Sequence, residues 1–259
     1  MRRGMVWLLL TGSVAVVGCG DESGESPAGK ITDPPKPAVT DKPEAITVLE
    51  SLGVMLKRGD DGSVSEVSFR DVKASDEGVA ALSGLPGVRS LLFNDTELND
   101  EALARVGRLT TVRNLDLRGC PVTNAGLVHL KGMTQLRALR LSGKNGATQV
   151  DDDGMSHIGK LTNLKALLLD FLFVSEVGLQ QLDGLTKLEE IYLAGTLAGD
   201  EAVVVLRQFP RLKKLRLSQT QVSDEGLAGL KELAQLAEAD LSENSLISDA
   251  GLVHLSGLT

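Results

Sequence analysis

The sequence predicts an α/β repeat protein, in which a short strand, a turn and a short helix recur about eight times over residues 61–259. Three observations support this prediction: apolar residues recur in eight similar segments, the spacing between segments is nearly constant, and helix-capping residues stand at the same point of each unit. The chain has 259 residues, of which 42% are hydrophobic and only 3% aromatic. We therefore expect a sizeable core built from small aliphatic side chains.

Eight strand-like segments share the pattern apolar-x-x-apolar-x-apolar, whose last three positions alternate with period two. One face of each strand should therefore be buried and the other open. Successive segments start 24 residues apart, except for one step of 28 from Leu136 to Leu164. The segments are 64–69, 88–93, 112–117, 136–141, 164–169, 188–193, 212–217 and 236–241.

Each strand is followed by a turn and a helix with a capping residue at its start. A side chain such as Ser223 can accept a hydrogen bond from a free backbone N–H, and the acidic residue after it, Asp224, lies at the positive end of the helix dipole. The spacing of Leu227 and Leu230 buries one face of the helix. Because about nine residues are too few for an independent helix, each helix must be stabilised by its neighbours.

These units resemble leucine-rich repeats of the ribonuclease-inhibitor-like and cysteine-containing types, and the short bacterial variants ending T-x-V-T/S-D-x-G-L. The resemblance covers about residues 61–259. It implies a solenoid shaped as a right-handed horseshoe arc, with parallel strands on the concave face and short helices on the convex face. It also implies that Cys120 and Asn244 belong to a column of buried residues that bond the turns, where Thr is commonest in this chain. We therefore expect Cys120 to be structural rather than a nucleophile.

The first 18 residues predict a lipoprotein signal peptide. Two arginines precede an apolar run from Met5 to Val17, which is too short to span a bilayer and has the length of a signal-peptide core. The residues that end at Cys19 resemble the lipobox of bacterial lipoproteins. This resemblance implies acylation of Cys19 and a membrane-anchored protein of the cell envelope; an ordinary signal peptide is the alternative.

The segments that flank the repeats have different compositions. Residues 19–44 predict a disordered tether, because prolines and charged residues are mixed there without apolar periodicity. Residues 45–60 predict an N-terminal capping helix, since Ile46, Leu49 and Leu52 follow helical spacing. The last repeat has no such cover, so its open edge predicts possible self-association.

Composition and motifs argue against several classes of function. The formal net charge of −8 disfavours nucleic acid as a partner, because phosphate binding requires a basic surface. The three histidines, His129, His157 and His254, share one helix column without companion ligands, and Asp151–Asp153 align with the cap positions of other repeats. We therefore predict no metal or cofactor site. No nucleophile–base motif is found, so catalysis is not expected.

The candidate functional surface is the concave face. Charges of both signs surround Leu168 and Tyr192, the only tyrosine, and this composition is typical of binding hot spots. The alternative is a solvated sheet in which Arg140 and Asp116 form a cross-strand pair. The four-residue extension within 143–150 is a second candidate, against a tolerated loop insertion. The candidate protein-binding residues are Asp116, Arg118, Arg140, Leu168, Asp170, Tyr192, Lys214, Arg216 and Asp240.

Taken together, these features predict a non-enzymatic protein-binding module, exported and attached to the cell envelope through a lipid on Cys19. Two other functions remain open. A structural envelope protein would self-associate through the C-terminal edge. An exported effector or adaptor would act away from the envelope.

Overall fold

The computed structural model of the chain describes residues 40–255 and the backbone of one short strand, Trp7–Leu9. Cys19, residues 19–39 of the predicted tether and most of the predicted signal peptide lie outside the described residues. Within the described part of the chain, no helix is long and apolar enough to cross a membrane.

The chain forms one ten-stranded sheet, in which all strands but the first follow one another in chain order. The strands are β1 (Trp7–Leu9), β2 (Met55–Arg58), β3 (Val64–Ser68), β4 (Ser90–Leu92), β5 (Asn114–Asp116), β6 (Ala138–Ser142), β7 (Ala166–Asp170), β8 (Glu190–Tyr192), β9 (Lys214–Arg216) and β10 (Glu238–Asp240). From β3 to β10 every neighbouring pair is parallel. β2 lies antiparallel to β3, and β1 lies antiparallel to β10.

A helix precedes the repeats and one follows each parallel strand. The helices are α1 (Pro43–Ser51), α2 (Asp76–Ala81), α3 (Asp100–Val106), α4 (Asn124–Leu127), α5 (Asp152–Ile158), α6 (Glu176–Gln180), α7 (Asp200–Leu206), α8 (Asp224–Leu230) and α9 (Asp249–Leu252). Short 3-10 turns extend three of them, at Leu82–Gly84, Val128–Gly132 and Val253–Leu255. The predicted repeat solenoid, with strands on one side and helices on the other, is confirmed.

The core is a stack of similar layers, because equivalent apolar residues lie side by side in neighbouring strands. Leu91 is in register with Leu115, and Leu115 with Leu139. The row continues through Leu167 and Ile191, and all five side chains are fully buried. One register therefore repeats through the solenoid, as the 24-residue spacing predicts.

The N-terminal cap is a helix followed by a strand, which corrects the single helix predicted over 45–60. α1 ends at Ser51 and Gly53 adopts a positive φ of 76°, a conformation that glycine reaches without steric cost and that ends helices. After this turn, β2 pairs with β3 in an antiparallel arrangement that places Met55 beside Ser68.

The N-terminal cap begins inside the segment predicted as tether. Asp41 is buried, and its carboxylate accepts a hydrogen bond from the backbone N–H of Val64 at 2.6 Å. The backbone N–H of Lys42 donates to the carbonyl of Gly84 at 2.9 Å. These contacts tie the start of α1 to the first repeat, so residues 41–44 belong to the cap.

The strand edge of the last repeat is paired, which corrects the expectation of an open edge on the strand side, whereas Leu252 and Val253 on its helix side are exposed. The backbone of β1 lies antiparallel to β10, with Trp7 opposite Asp240. Since β1 falls within the predicted signal peptide, cleavage before Cys19 would remove this strand and expose the edge of β10.

Consecutive helices are joined by a repeated pair of hydrogen bonds. The Asp200 carboxylate of α7 accepts from the backbone N–H of Ser223 at 2.8 Å and from its hydroxyl at 2.6 Å, while Ser223 caps α8. Four junctions have this pair of bonds: Asp100–Thr123, Asp152–Ser175, Asp200–Ser223 and Asp224–Ser248. At a fifth junction, Asn124–Asp151, an amide side chain takes the place of the carboxylate. The acidic cap residues therefore bind the next repeat as well as the helix dipole.

Two junctions between repeat helices, among α2 to α9 within residues 40–255, lack these bonds. Asp76 is paired with Arg105 at 2.8 Å instead of with the next cap, Asn99. At the junction of α6 and α7, the acidic residue is Glu176 and the cap is Gly199, which has no side chain to donate.

Candidate functional site

The predicted concave residues lie in adjacent rows across the sheet. The central row is continuous in the strand register, so each member is beside its neighbours. Its members are Ser68, Leu92, Asp116, Arg140, Leu168, Tyr192, Arg216 and Asp240. Asp170 belongs to the next row, where it is in register with Ser142, and Lys214 belongs to the row before, in register with Glu190 and Glu238.

Arg216 contacts two carboxylates and an aromatic ring on this face. Its guanidinium nitrogens lie 3.2 Å from Asp170 Oδ2 and 3.3 Å from Asp240 Oδ2. The guanidinium carbon is 4.5 Å from the centroid of the Tyr192 ring, within the range of a cation–π contact. Two carboxylates and a ring hold the arginine in one orientation, so a partner would meet a preorganised cation.

Asp170 reaches Arg216 across an intervening strand. The residue between them is Ala194, whose small side chain leaves the space open, and its backbone N–H donates to Asp170 Oδ1 at 2.9 Å. Burial raises the pKa of Asp170 above its ordinary value, although this hydrogen bond and the charge of Arg216 oppose the rise. The hydrogen bond and Arg216 therefore hold this carboxylate in place although burial disfavours its charged form. A cation from a partner would stabilise the charged form.

Tyr192 combines an apolar ring with a polar tip. Burial raises the pKa of its hydroxyl, and the charge of Glu190 adds to the rise, so the phenol is neutral and can donate a hydrogen bond. Leu168 lies beside it in the register, half-buried, with Arg140 on the other side. Glu190, in register with Lys214, was not among the predicted residues.

Asp116 and Arg118 form a bidentate pair within one strand end. Arg118 donates from Nε to Asp116 Oδ1 at 2.9 Å and from Nη2 to Oδ2 at 2.6 Å, and this hydrogen bonding is the main reason why the pKa of Arg118 is raised. Arg140 instead donates to the side chain of Asn114. The cross-strand pair of Arg140 with Asp116, considered from the sequence, is therefore replaced by two other contacts, and Asn114 was missed.

Lys214 is paired along its own row. Its Nζ lies 3.3 Å from Glu238 Oε2, and this hydrogen bond is the main cause of the raised pKa of Lys214. Both side chains remain partly exposed, so the pair contributes little to stability and is available to a partner.

The four-residue extension forms a loop that borders the concave face. Asn145 donates from Nδ2 to the carbonyl of Gly119 at 3.0 Å, and the Lys144 ammonium lies 5.7 Å from the ring centroid of Phe171. The regular pattern resumes at Thr148, whose hydroxyl donates to the carbonyl of Cys120 at 2.9 Å. A cleft of about 400 Å³ lies beside this loop. It is lined by Arg70, Asn94, Asp95, Arg118, Gly119, Ser142, Lys144 and Asn145.

Cys120 occupies the buried column that the resemblance implies. Its thiol is fully buried. The thiol donates to the carbonyl oxygen of Phe93 at 3.1 Å and lies 3.6 Å from the hydroxyl oxygen of Thr96. Burial raises the pKa of this thiol, which opposes formation of a thiolate. Asn244 bonds the equivalent turn with its Nδ2 2.7 Å from the carbonyl oxygen of Leu217.

The three histidines do not converge with other potential ligands. His129 and His254 are exposed and His157 is half-buried. Among residues 40–255, no group of three or more His, Cys, Asp or Glu side chains is arranged to hold a metal ion.

Comparisons with known proteins agree with this fold. The family model described as Leucine Rich repeat matches residues 108–130 and 211–231. Among solved structures, the crystal structure of internalin C2 from Listeria monocytogenes is similar, with a TM-score of 0.60 and 23% sequence identity over 87% of this chain and 90% of that one. A search of curated proteins found no match. Two segments of the chain therefore match leucine-rich repeats, and the shared architecture shows that the chain has a leucine-rich repeat fold.

Proposed function

We propose that this chain is a non-enzymatic module that binds a protein partner on its concave face, while a lipid on Cys19 attaches it to the bacterial cell envelope. The observation that supports the binding role most strongly is the arrangement around Arg216. The cation is fixed by Asp170, Asp240 and the ring of Tyr192, yet it remains about one-third exposed at 31% of its side-chain area.

A fixed, accessible arginine beside a tyrosine has the composition of an interface hot spot. Binding loses side-chain freedom, and residues already held in place lose less. Leu168 adds an apolar surface next to Tyr192, so the three side chains offer one cation, one hydrogen-bond donor and one aliphatic contact within neighbouring strands.

The attachment to the envelope rests on the sequence alone. The basic start, the apolar run up to Val17 and the position of Cys19 support it. The residues between Cys19 and the cap would hold the solenoid away from the membrane surface, so that its concave face is accessible.

The first test identifies the partner with a photo-crosslinking residue, p-benzoylphenylalanine, placed at Tyr192 in the full chain in a bacterium that processes lipoproteins. The matched control places it at Glu101, an exposed residue of α3 on the helix side. We expect a crosslinked protein from position 192 that is not obtained from position 101.

The second test measures the affinity for that protein. Tyr192→Ala and Arg216→Ala should each weaken binding by more than about 1 kcal/mol, whereas Lys231→Ala on the helix side should leave it unchanged. If position 192 yields no specific crosslink, or if neither substitution weakens binding, the concave face is not the binding site.

A further inference from the structure

Outside the last repeat, which contains Leu246, Leu252 and Val253, exposed apolar side chains are concentrated in two consecutive repeats. The fifth repeat covers residues 164–187 and the sixth covers 188–211. Of the nine large hydrophobic residues that are exposed in the described part of the chain, four lie in these two repeats. They are Phe173 at 72% exposed, Val177 at 53%, Leu197 at 46% and Val204 at 54%.

The fold does not require apolar side chains at the positions of Phe173, Leu197 and Val177, because most other repeats have polar residues there. Phe173 and Leu197 occupy the same position of successive turns, where the last repeat has Leu246 and the others have Lys73, Glu97, Pro121, Gln149 and Gln221. Val177 occupies the second position of its helix, where the others have Glu77, Glu101, Ala125, Asp153, Glu201, Glu225 and Ala250. Comparison of equivalent positions among the repeats therefore shows that this apolar cluster is a local feature of the fifth and sixth repeats.

These side chains follow each other across the rim at the carboxyl ends of β7 and β8. The backbone N–H of Leu197 donates to the carbonyl of Val174 at 3.0 Å, so the two turns are stacked. Phe171 lies at the same rim, and its ring fills the space over Gly195, where a Cβ would be 2.4 Å from Phe171 Cδ1. We define the apolar band as Leu168, Phe171, Phe173, Val177, Tyr192 and Leu197.

The apolar band begins on the concave face at Leu168 and Tyr192, crosses the rim at Phe171, Phe173 and Leu197, and ends on the helix side at Val177. Its surroundings on the helix side are acidic: Asp151 pairs with Phe173 in a backbone bridge, and Glu176, Asp200 and Glu201 lie in the first turns of α6 and α7. Lys144 and Arg216 approach its concave end. An exposed apolar surface with a charged rim is typical of a protein interaction site.

We propose that the apolar band docks a segment of a partner protein in which apolar side chains are flanked by lysine or arginine, and that this segment crosses the rim from the concave face to the helix side. The inference rests on the proposed function, that the chain binds proteins, and adds the chemistry and the path of the partner. A second copy of this chain is a poorer occupant, because two acidic surfaces would meet in a chain of net charge −8.

The test selects peptides from a random 12-residue display library on the full chain. The matched variant is Phe173→Gln with Leu197→Gln, since Gln149 and Gln221 stand at the same position of other repeats and show that the turn accepts glutamine. Thermal melting followed by circular dichroism checks that the variant is folded. A control variant, Val128→Gln with Val253→Gln, removes two exposed apolar residues outside the fifth and sixth repeats.

The expected result is enrichment of peptides with two or more apolar residues flanked by Lys or Arg. Their affinity should fall at least tenfold on the Phe173/Leu197 variant, remain within twofold on the control variant, and decrease as salt is raised. The inference is overturned if no peptide is enriched, if the enriched peptides have acidic flanks, or if they bind the Phe173/Leu197 variant as tightly as the unaltered chain.

Two further measurements test the alternative occupants of the apolar band, a second copy of the chain and a lipid surface. Sedimentation velocity that shows self-association lost in the Phe173/Leu197 variant would mean that a second copy covers the band. Flotation with phosphatidylcholine vesicles that depends on the same two residues would mean a lipid surface. Failure of the band is distinguishable from failure of the proposed function: a partner crosslinked at Tyr192 that binds the Phe173/Leu197 variant normally overturns the band alone.

Discussion

The Asp200 carboxylate occupies the space that a side chain on Gly226 would need. A Cβ built on Gly226 would lie 2.2 Å from Asp200 Oδ1, in the preceding repeat. The same close approach joins Asp100 to Gly126 at 2.1 Å and Asp224 to Gly251 at 2.1 Å. The glycine in the recurring D-x-G sequence is therefore required by the acid of the repeat before it.

Gly226→Ala should destabilise the protein, although the same change inside a helix ordinarily stabilises it by about 1 kcal/mol. Overpacking against a fixed carboxylate costs roughly 1–3 kcal/mol and should outweigh that gain. The free energy of unfolding, from urea denaturation, measures the difference. In an Asp200→Ala background the clash is gone, so the second substitution should become neutral or favourable, and the two changes should not be additive.

Ala202 provides the matched control for this argument. It stands where other repeats have the glycine, and the acid of the preceding repeat is Glu176, which makes no link to Gly199. Ala202→Gly should therefore cost only the usual loss of about 0.5–1 kcal/mol. A stable Gly226→Ala protein with unchanged Asp200 would contradict the steric account.

Asp170 should make the stability of the protein fall as the pH rises through the weakly acidic range. Because burial raises its pKa in the folded state, the folded protein binds this proton more tightly than the unfolded chain. The favourable contribution is complete below the ordinary carboxyl pKa of about 4 and is lost as the pH rises through the raised pKa. Relative to Asp170→Asn, the unaltered protein should lose free energy of unfolding over this range.

Denaturation of both proteins between about pH 3.5 and pH 7 checks this prediction. Arg216→Gln should increase the effect, because the charge of Arg216 lowers the pKa of Asp170. Parallel curves for the unaltered protein and Asp170→Asn would show that the carboxylate is not destabilised by its surroundings.

Cys120 should be unreactive in the folded protein. In a Cys19→Ala variant it is the only thiol, and both its burial and its raised pKa suppress the thiolate. Labelling with Ellman's reagent should be slow in native buffer and rapid in denaturant. Cys120→Thr should cost less stability than Cys120→Ala, since Thr196 and Thr220 fill the same column and donate their hydroxyls to the carbonyls of Leu193 and Leu217, whereas alanine leaves a buried cavity.

Cys19 should carry a lipid in the exported protein. Expression in a bacterium that processes lipoproteins should give a membrane-bound chain whose intact mass includes a diacylglyceryl or triacyl group. Cys19→Ala should give an unlipidated chain. A soluble protein without lipid from the unaltered sequence would remove the anchor and favour the effector or adaptor function.

The repeat spacing predicts the fold in detail because each repeat meets only its neighbours. Once the strands are aligned, a separation of 24 residues places Leu115 beside Leu91, and the whole central row follows. The spacing also locates the resumed pattern after the extension, since Thr148-Gln149-Val150 repeats Thr220-Gln221-Val222. The strand β2 was missed because Leu56 continues the helical spacing of α1, while Gly53 had already ended the helix.

Side-chain partners on the concave face were harder to predict. Alignment places Arg140 next to Asp116, but residues two apart on one strand lie only about 7 Å from each other, and Arg118 reaches Asp116 first. The contact of Arg216 with Asp170 spans two strand separations of nearly 5 Å each. It depends on the small size of Ala194, which a pairwise comparison of neighbouring strands does not consider.

The missing carboxylate link between Glu176 and Gly199 separates two blocks of linked helices, α3–α6 and α7–α9. Asp100, Asn124 and Asp152 join the helices before this junction, and Asp200 and Asp224 join those after it. Across the junction, Gln208 donates from Nε2 to the carbonyl of Leu179 at 2.8 Å, and the apolar band also crosses it. A partner bound there holds both blocks, so amide exchange in α6 and α7 should slow on binding more than in α3 or α8.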